Sequence, residues 1–196
     1  TKLLILNYPS NPTGMTYTKE ELEDIAKVLV EHNIFCISDE IYEKLTYDGL
    51  KHTSIASLNP RIKNLTITIN GLSKAYSMTG WRVGYACGSK EIIYAMNNLQ
   101  DHSTSNIVTF VQYASIEAIK NSAEFVHMMN NEFVKRRDYI VEEINKISYL
   151  KTTKPQGAFY VWVNIKELKG KKFGTQVITD SLKLAELLLQ EAKVAV

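Results

Sequence analysis

Asn70–Tyr85 reads NGLSKAYSMTGWRVGY, and this stretch decides how the rest of the 196-residue chain is interpreted. It follows the alternating run Leu65–Ile69, whose apolar residues at every second position predict a β-strand. Gly71 breaks that run, so Lys74 is expected in the turn beyond the carboxyl end of the strand. Ligands of parallel α/β sheets bind at that edge. A lysine taken alone is more often a solvated surface residue, so a binding role needs a second functional group nearby.

Arg82 supplies that second group, inside a run of small and aromatic residues. Its planar guanidinium carries a fork of hydrogen-bond donors suited to phosphate. A lysine amine can capture a carbonyl group covalently. A pyridoxal phosphate site requires both functions, one for the aldehyde and one for the phosphate.

The run Ser73–Tyr85 resembles the cofactor-lysine signature of the class I/II pyridoxal-phosphate-dependent aminotransferases of fold type I. Within that family it is most similar to the bacterial aspartate aminotransferases, and motifs elsewhere in the chain agree in order and spacing. The resemblance implies an α/β fold, in which a large domain with a mostly parallel sheet precedes a smaller α/β domain. It also implies pyridoxal 5'-phosphate as cofactor, amino-acid and 2-oxo-acid substrates, and a homodimer.

The first of the other motifs is Asn11–Gly14, which reads NPTG and lies in an irregular loop after the apolar run Leu3–Leu6. Most such loops are plain connectors. The resemblance implies that Asn11 donates to the ring oxygen of the cofactor and contacts substrate, and that the Asn11–Pro12 peptide bond is cis.

Asp39 directly follows the apolar run Ile34–Ile37, where a carboxylate is costly to bury without a partner. It can cap a helix, or, as the resemblance implies, pair with the pyridine nitrogen of the cofactor. Tyr42 is expected on the same face of a helical turn, and the resemblance gives it a hydrogen bond to the ring oxygen. Neighbouring Glu40 is interpreted as structural, and His52 as a solvent-exposed residue.

In the signature itself, the resemblance implies that Lys74 holds the cofactor and shuttles the proton, while Arg82 holds the phosphate. Many relatives have a serine three residues before the lysine as a further phosphate ligand. Here that position is Gly71, and Ser73 is the candidate substitute.

The predicted domain organisation follows the same resemblance. Residues 1–121 are expected to be part of the large cofactor-binding domain, 122–147 a long inter-domain helix, and 148–196 part of the small domain. The PQGAFY motif, Pro155–Tyr160, is interpreted as a turn of that small domain leading into a strand, with Phe159 packing.

The chain opens within the apolar run Leu3–Leu6 and ends within the strand-like run Val194–Val196. Natural termini usually lie in polar segments, so these ends predict a fragment of a longer polypeptide. The resemblance implies a full length about twice this one. It places the residue that stacks on the cofactor ring before Thr1, and the arginine for the substrate α-carboxylate beyond Val196.

Composition is that of an ordinary globular protein, with 45% hydrophobic residues, 22% charged residues and a net charge of +2. It gives no support for a nucleic-acid or membrane partner, and no metal-ligand cluster is apparent in the sequence. Cys36 and Cys87 lie far apart in apolar runs and are interpreted as buried, reduced thiols, which fits a cytoplasmic protein.

The predicted function is transamination, with L-aspartate and 2-oxoglutarate as the preferred pair. Two alternatives stay open. The first is another pyridoxal phosphate reaction on the same fold, such as a carbon–sulfur lyase or an aminotransferase for a different amino acid. The second is a non-enzymatic, aminotransferase-like sensor domain of a transcription regulator. The 196-residue piece alone is expected to be inactive.

Overall fold

The computed structural model describes all residues, 1–196, and its chain divides into two compact units. The first unit comprises Thr1–Lys135 together with Pro155–Tyr160, and the second comprises Arg136–Lys154 together with Val161–Val196. The sequence interpretation placed Pro155–Tyr160 in the small domain. The structure groups this segment with the first unit, because its backbone bonds to loops of that unit.

The first unit contains a four-stranded sheet in which three strands run parallel and the last runs antiparallel. The strands, in spatial order, are β1 (Leu3–Asn7), β2 (Phe35–Asp39), β3 (Thr66–Gly71) and β4 (Gly84–Cys87). Asn7 of β1 lies opposite Asp39 of β2, which in turn lies opposite Ile69 of β3. The carboxyl ends of the three parallel strands therefore meet at one edge, and the predicted α/β fold with a mostly parallel sheet is confirmed.

Five α-helices accompany these strands. They are α1 (Lys19–Glu31), α2 (Pro60–Leu65), α3 (Lys90–Ser103), α4 (Thr109–Asn121) and α5 (Ala123–Asn145). A capping box is present at the start of α1, where Thr18 and Glu21 exchange side-chain-to-backbone hydrogen bonds.

One face of the sheet packs against α1 and α2. The fully buried members of this core are Leu6, Tyr8, Leu22, Ala26, Leu29, Cys36, Ile55 and Ile62. On β3 the buried residues are Thr66, Asn70 and Gly71, whereas Ile69 of the predicted apolar face is 37% exposed. The parallel strands thus carry a well-packed core on one side only.

The second unit contains two short hairpins and a helix. The hairpins are formed by β5 (Lys151–Thr152) with β6 (Val163–Asn164), and by β7 (Lys172–Phe173) with β8 (Gln176–Val177). Helix α6 (Ser181–Leu187) starts at Asp180, whose side chain accepts from the backbone N–H of Lys183, and a single π-helical turn, Leu188–Ala192, follows it. Residues 194–196 form no strand, so the strand-like interpretation of the last residues is wrong.

Two further observations concern the solvent-facing surface. Cys36 is buried as expected, but Cys87 is exposed, which corrects the interpretation of both thiols as buried. The helices are too short or too polar to span a lipid bilayer.

Candidate active site

Lys74 lies in the turn that follows β3, at the edge where the parallel strands end. Its ammonium nitrogen, Nζ, is 5.8 Å from the centroid of the Tyr42 ring and 5.5 Å from that of the Phe159 ring. Both distances are within the range of cation–π attraction. The half-buried lysine is therefore directed toward aromatic side chains rather than into open solvent, which is the opposite of the surface interpretation.

Asp39 is the last residue of β2 and is held by its neighbours at the same edge. Its Oδ2 accepts from Nδ2 of Asn7 at 3.1 Å, and its Oδ1 accepts from the backbone N–H of Ile41 at 3.3 Å. The contact with Ile41 is a local turn bond of the kind that a capping residue makes. Asn7 comes from the adjacent strand and fixes the second oxygen. The carboxylate is oriented by two elements while remaining half-buried.

Asn11, Tyr42 and Tyr160 form one hydrogen-bonded group. Nδ2 of Asn11 donates to the Tyr160 hydroxyl at 3.3 Å, and the hydroxyls of Tyr160 and Tyr42 are 2.6 Å apart. Burial, followed by the hydrogen bond and the charge of Tyr160, raises the pKa of Tyr42 well above its usual value. The Tyr42 hydroxyl therefore stays protonated at neutral pH and can act as a donor.

The loop that carries Asn11 is fixed at both ends. The backbone N–H of Asn11 donates to Oδ1 of Asn7 at 2.8 Å, which links this loop to the side chain that orients Asp39. The Asn11–Pro12 bond is cis, as the resemblance implied, and the Tyr8–Pro9 bond is cis as well.

Arg82 lies at the same edge of the sheet but is not in hydrogen-bond contact with this group. It has a left-handed backbone conformation with φ 53°, just before the chain returns into β4. Its guanidinium is exposed, and Nη1 donates to the carbonyl oxygen of Thr79 at 2.9 Å. Ser73 is half-buried in the turn that carries Lys74. The structure thus brings Lys74, Asn11 and Tyr42 together, with Asp39 joined to them through Asn7, and leaves Arg82 and Ser73 beside the group.

Gly71 shows why a serine is missing at the position three residues before Lys74. A Cβ atom there would lie 2.9 Å from the carbonyl oxygen of Val83 and 3.1 Å from Cδ1 of Ile41. The backbones of β3 and β4 approach too closely for a side chain. A serine at this position would therefore require the surrounding backbone to shift.

Phe159 and Tyr160 are functional candidates that sequence reasoning undervalued or missed. Their segment is held by backbone bonds to two loops: Gly157 N–H donates to the Gly14 carbonyl at 2.8 Å, and Ala158 N–H donates to the Leu45 carbonyl at 2.9 Å. Gly157 has no room for a Cβ, which would lie 2.7 Å from the Leu45 carbonyl oxygen. The glycine of the PQGAFY motif was the available signal for this close approach.

A buried polar network lies behind the site and corrects the interpretation of His52. Nε2 of His52 is 2.9 Å from Oε2 of Glu40, and the two side chains are only 8% and 2% exposed. Oε1 of Glu40 accepts from the hydroxyls of Ser38 at 2.8 Å and Ser54 at 2.7 Å. His52 also stacks on the ring of Tyr8, with centroids 5.0 Å apart. It is a structural partner of Glu40, whose predicted structural role agrees with these contacts.

Known proteins with similar sequences show to which family the chain belongs. A family model described as aminotransferase class I and II matches residues 1–196. The chain belongs to the aminotransferase class I and II family. Members of this family use pyridoxal phosphate, act on amino-acid and keto-acid substrates and are usually dimeric.

Two curated relatives show how similar the chain is to individual family members. It is 50% identical over 196 residues to an aspartate aminotransferase of Bacillus sp. (strain YM-2). It is 46% identical over 198 residues to a probable aspartate/prephenate aminotransferase of Aquifex aeolicus. In each case all of this chain aligns with 49% of the relative, so the chain spans about half the length of the curated relatives it matches.

Solved aminotransferase structures share the fold. An aspartate aminotransferase from Rhizobium meliloti superposes with a TM-score of 0.94 at 37% identity, over 99% of this chain and 49% of its own. An aromatic aminotransferase from Pyrococcus horikoshii gives a TM-score of 0.90 at 42% identity, over 100% of this chain and 50% of its own.

The donor set at the sheet edge fits pyridoxal phosphate. Lys74 offers an amine beside aromatic rings, Asp39 an oriented carboxylate for a protonated ring nitrogen, and Asn11 and Tyr42 donors for a ring oxygen. Arg82 offers a guanidinium for phosphate at the same edge.

Proposed function

We propose that the polypeptide carrying this chain is a pyridoxal-phosphate-dependent aminotransferase acting on L-aspartate and 2-oxoglutarate. The observation that carries the proposal is the position of Lys74, beside Tyr42 and Phe159 at the edge that also presents Asp39. The family membership and the aspartate aminotransferases among its relatives support the reaction and the substrate.

The residues divide the chemistry between them. Pyridoxal phosphate supplies a conjugated cationic ring that accepts the electrons left when the substrate α-carbon loses its proton. Asp39 provides a negative charge that keeps the ring nitrogen protonated. Lys74 would hold the cofactor through its Nζ, and the same amine would serve as the base for the proton of the substrate α-carbon.

The remaining residues bind and orient. Asn11 and Tyr42 donate to the ring oxygen, and Asn11 contacts substrate. Arg82 can exchange its bond to the Thr79 carbonyl for the phosphate oxygens, with Ser73 as a further phosphate ligand. We also propose a homodimer, a cytoplasmic location and a division into residues 1–121, 122–147 and 148–196, in which Pro155–Tyr160 is grouped with the first compact unit.

A second amino-acid substrate class is favoured by specific relatives. Some relatives are named as probable aspartate/prephenate aminotransferases. One similar solved structure is named as an aromatic aminotransferase. An aromatic amino acid or a ring-bearing 2-oxo acid is therefore the alternative substrate for the same site.

Product analysis of the full-length polypeptide with pyridoxal phosphate tests the proposal. Aspartate and 2-oxoglutarate are expected to give oxaloacetate and glutamate in equal amounts, faster than phenylalanine gives its 2-oxo acid. Release of pyruvate and a thiol from a thioether amino acid, without amino-group transfer, would indicate a carbon–sulfur lyase. Cofactor binding without turnover of any amino acid would indicate the sensor alternative and contradict the proposal.

A further inference from the structure

Tyr160 occupies a position that the proposed roles leave unexplained. Its hydroxyl is the point where the side chains of Asn11 and Tyr42 meet, 3.3 Å from Nδ2 of the former and 2.6 Å from the hydroxyl of the latter. Its backbone is fixed by the same short segment whose Gly157 and Ala158 bond to the Gly14 and Leu45 carbonyls. The ring is half-buried, so the hydroxyl has a defined place rather than a mobile surface one.

The direction of the hydrogen bonds follows from the donors available. A side-chain amide nitrogen only donates, so the Tyr160 oxygen accepts from Asn11. Either hydroxyl of the Tyr42–Tyr160 pair can be the donor. When Tyr42 donates to Tyr160, the bond stabilises the protonated form of Tyr42 and raises its pKa; when Tyr160 donates instead, the proton of Tyr42 is available to another acceptor. Asn11 likewise keeps the second hydrogen of its amide. In the arrangement where Tyr160 donates to Tyr42, Asn11 and Tyr42 can each offer one donor to the ring oxygen.

We propose that Tyr160 is a positioning residue of the cofactor site, whose hydroxyl holds Asn11 and Tyr42 with one free donor each for the ring oxygen of pyridoxal phosphate. This inference rests on the proposed function, because it assigns Tyr160 a role in that same cofactor site. The hydroxyl acts through its two partners and is not itself a catalytic residue.

A packing role is the competing explanation, because the Tyr160 ring also contacts its aromatic neighbours. Its centroid is 4.8 Å from that of Phe159 and 5.8 Å from that of Tyr42. The substitution Tyr160→Phe retains the ring and removes only the hydroxyl, so it separates the two roles.

The readout is the pH titration of the visible absorbance of the bound cofactor in the full-length polypeptide. Donors to the ring oxygen stabilise negative charge on it and make the adjacent nitrogen linked to Lys74 less basic. Tyr160→Phe is expected to misalign the donors of Asn11 and Tyr42. The midpoint of the absorbance titration should then rise by about 0.5 to 1 pH unit, which corresponds to one weakened hydrogen bond. The titratable groups facing this hydroxyl are Tyr42, with Lys74 and Asp39 beside it, and none is altered by the substitution.

Tyr47→Phe is the matched control. The Tyr47 hydroxyl donates to the carbonyl oxygen of Ala158, so it holds the same segment through its backbone. This variant is expected to lower the thermal midpoint while leaving the absorbance titration within about 0.2 pH units of the parent, well below the shift of a lost hydrogen bond.

The outcomes separate the inference from the function on which it rests. A parent protein that forms no lysine-linked cofactor absorbance contradicts both. A parent that binds the cofactor, with Tyr160→Phe titrating like the parent, contradicts the positioning role alone. Equal shifts in Tyr160→Phe and Tyr47→Phe also contradict it, because they would reflect general loosening of the segment.

Discussion

The contacts of Asp39 are compatible with both interpretations that the sequence left open, a helix cap and a partner of the cofactor nitrogen. The contact with the Ile41 backbone N–H is that of a local turn, while the bond from Asn7 aims the second oxygen along the strand edge. If the carboxylate acts on the cofactor nitrogen, Asp39→Ala is expected to retain cofactor binding in part. It should lower turnover of the full-length enzyme by roughly 100- to 1000-fold, as loss of a group that stabilises developing charge does. Steady-state kinetics with absorbance of the bound cofactor measure both effects.

Asp39→Asn is the control for the charge, because it keeps the size and the acceptor oxygen toward Ile41. It should be impaired about as strongly as the alanine variant. Turnover near the parental rate in Asp39→Asn would show that the residue serves only the turn.

Glu40 contributes pH-dependent stability. Burial raises the pKa of its carboxyl, but hydrogen bonds from His52, Ser54 and Ser38 outweigh burial and hold the pKa below its usual value. A depressed folded-state pKa means that the carboxylate stabilises the fold above the pKa of the unfolded chain, near 4.3. That contribution is lost as the pH falls through the lower folded-state value.

Glu40→Ala is accordingly expected to lower the free energy of unfolding at pH 7 by about 3 kcal/mol, since it leaves His52 buried without its carboxylate partner. The difference from the parent should shrink below about pH 4, as measured by urea unfolding at a series of pH values. Glu23→Gln, which alters an exposed pair with Lys19, is the control and should differ little from the parent. A constant difference between pH 3 and pH 7 for Glu40→Ala would be inconsistent with an ionised Glu40.

Helix α1 offers a prediction about one element. Oγ1 of Thr18 accepts from the Glu21 backbone N–H at 3.2 Å, and Oε2 of Glu21 accepts from the Thr18 backbone N–H at 2.8 Å. Thr18→Ala removes one partner and is expected to cost about 1 kcal/mol of stability in chemical unfolding. Thr18→Ser retains the hydroxyl and should stay close to the parent; an equal loss in both variants would mean that the cap contributes little.

The elements could be predicted because their signals are local. Short apolar runs bounded by loop residues indicated β1, β2 and β3, and the spacing of Thr18 and Glu21 indicated where α1 begins. The carboxyl ends of parallel strands meet by topology, so the placement of Lys74 and Asp39 at one edge also followed from the sequence.

Long-range contacts could not be predicted in this way. Asn11 and Tyr160 are 149 residues apart, and nothing in either local pattern indicates that their side chains meet. His52 lies in a polar run and looked solvated, because its buried partner Glu40 belongs to a different element. The closing segment 194–196 looked like a strand from its valines alone, although no neighbouring strand pairs with it.

Exposed apolar surface is extensive in the molecule as a whole. On the uncovered face of the sheet Ile5 is 68% exposed, and α3 has no buried residue, with Leu99 71% exposed. Parallel strands are normally covered on both faces, and patches of this kind mark interaction surfaces.

We therefore expect the 196-residue piece, expressed alone, to bind a hydrophobic dye strongly and not to transaminate. The family resemblance also assigns part of the substrate site to segments outside it, and misplacement by about 1 Å can slow a reaction on the order of 100-fold. The same assay on the full-length polypeptide is the positive control. Steady conversion of aspartate and 2-oxoglutarate by the piece alone would refute this expectation.

Lys74 is the residue on which the proposed chemistry depends. Borohydride reduction of the full-length polypeptide loaded with pyridoxal phosphate makes the lysine–cofactor bond permanent, and peptide mapping by mass spectrometry then locates it. The label is expected in the peptide that contains Ser73–Tyr76, on Lys74, and should be absent from that peptide in Lys74→Arg. A label on a different lysine in the parent, or no label at all under conditions where the cofactor binds, would contradict the assignment.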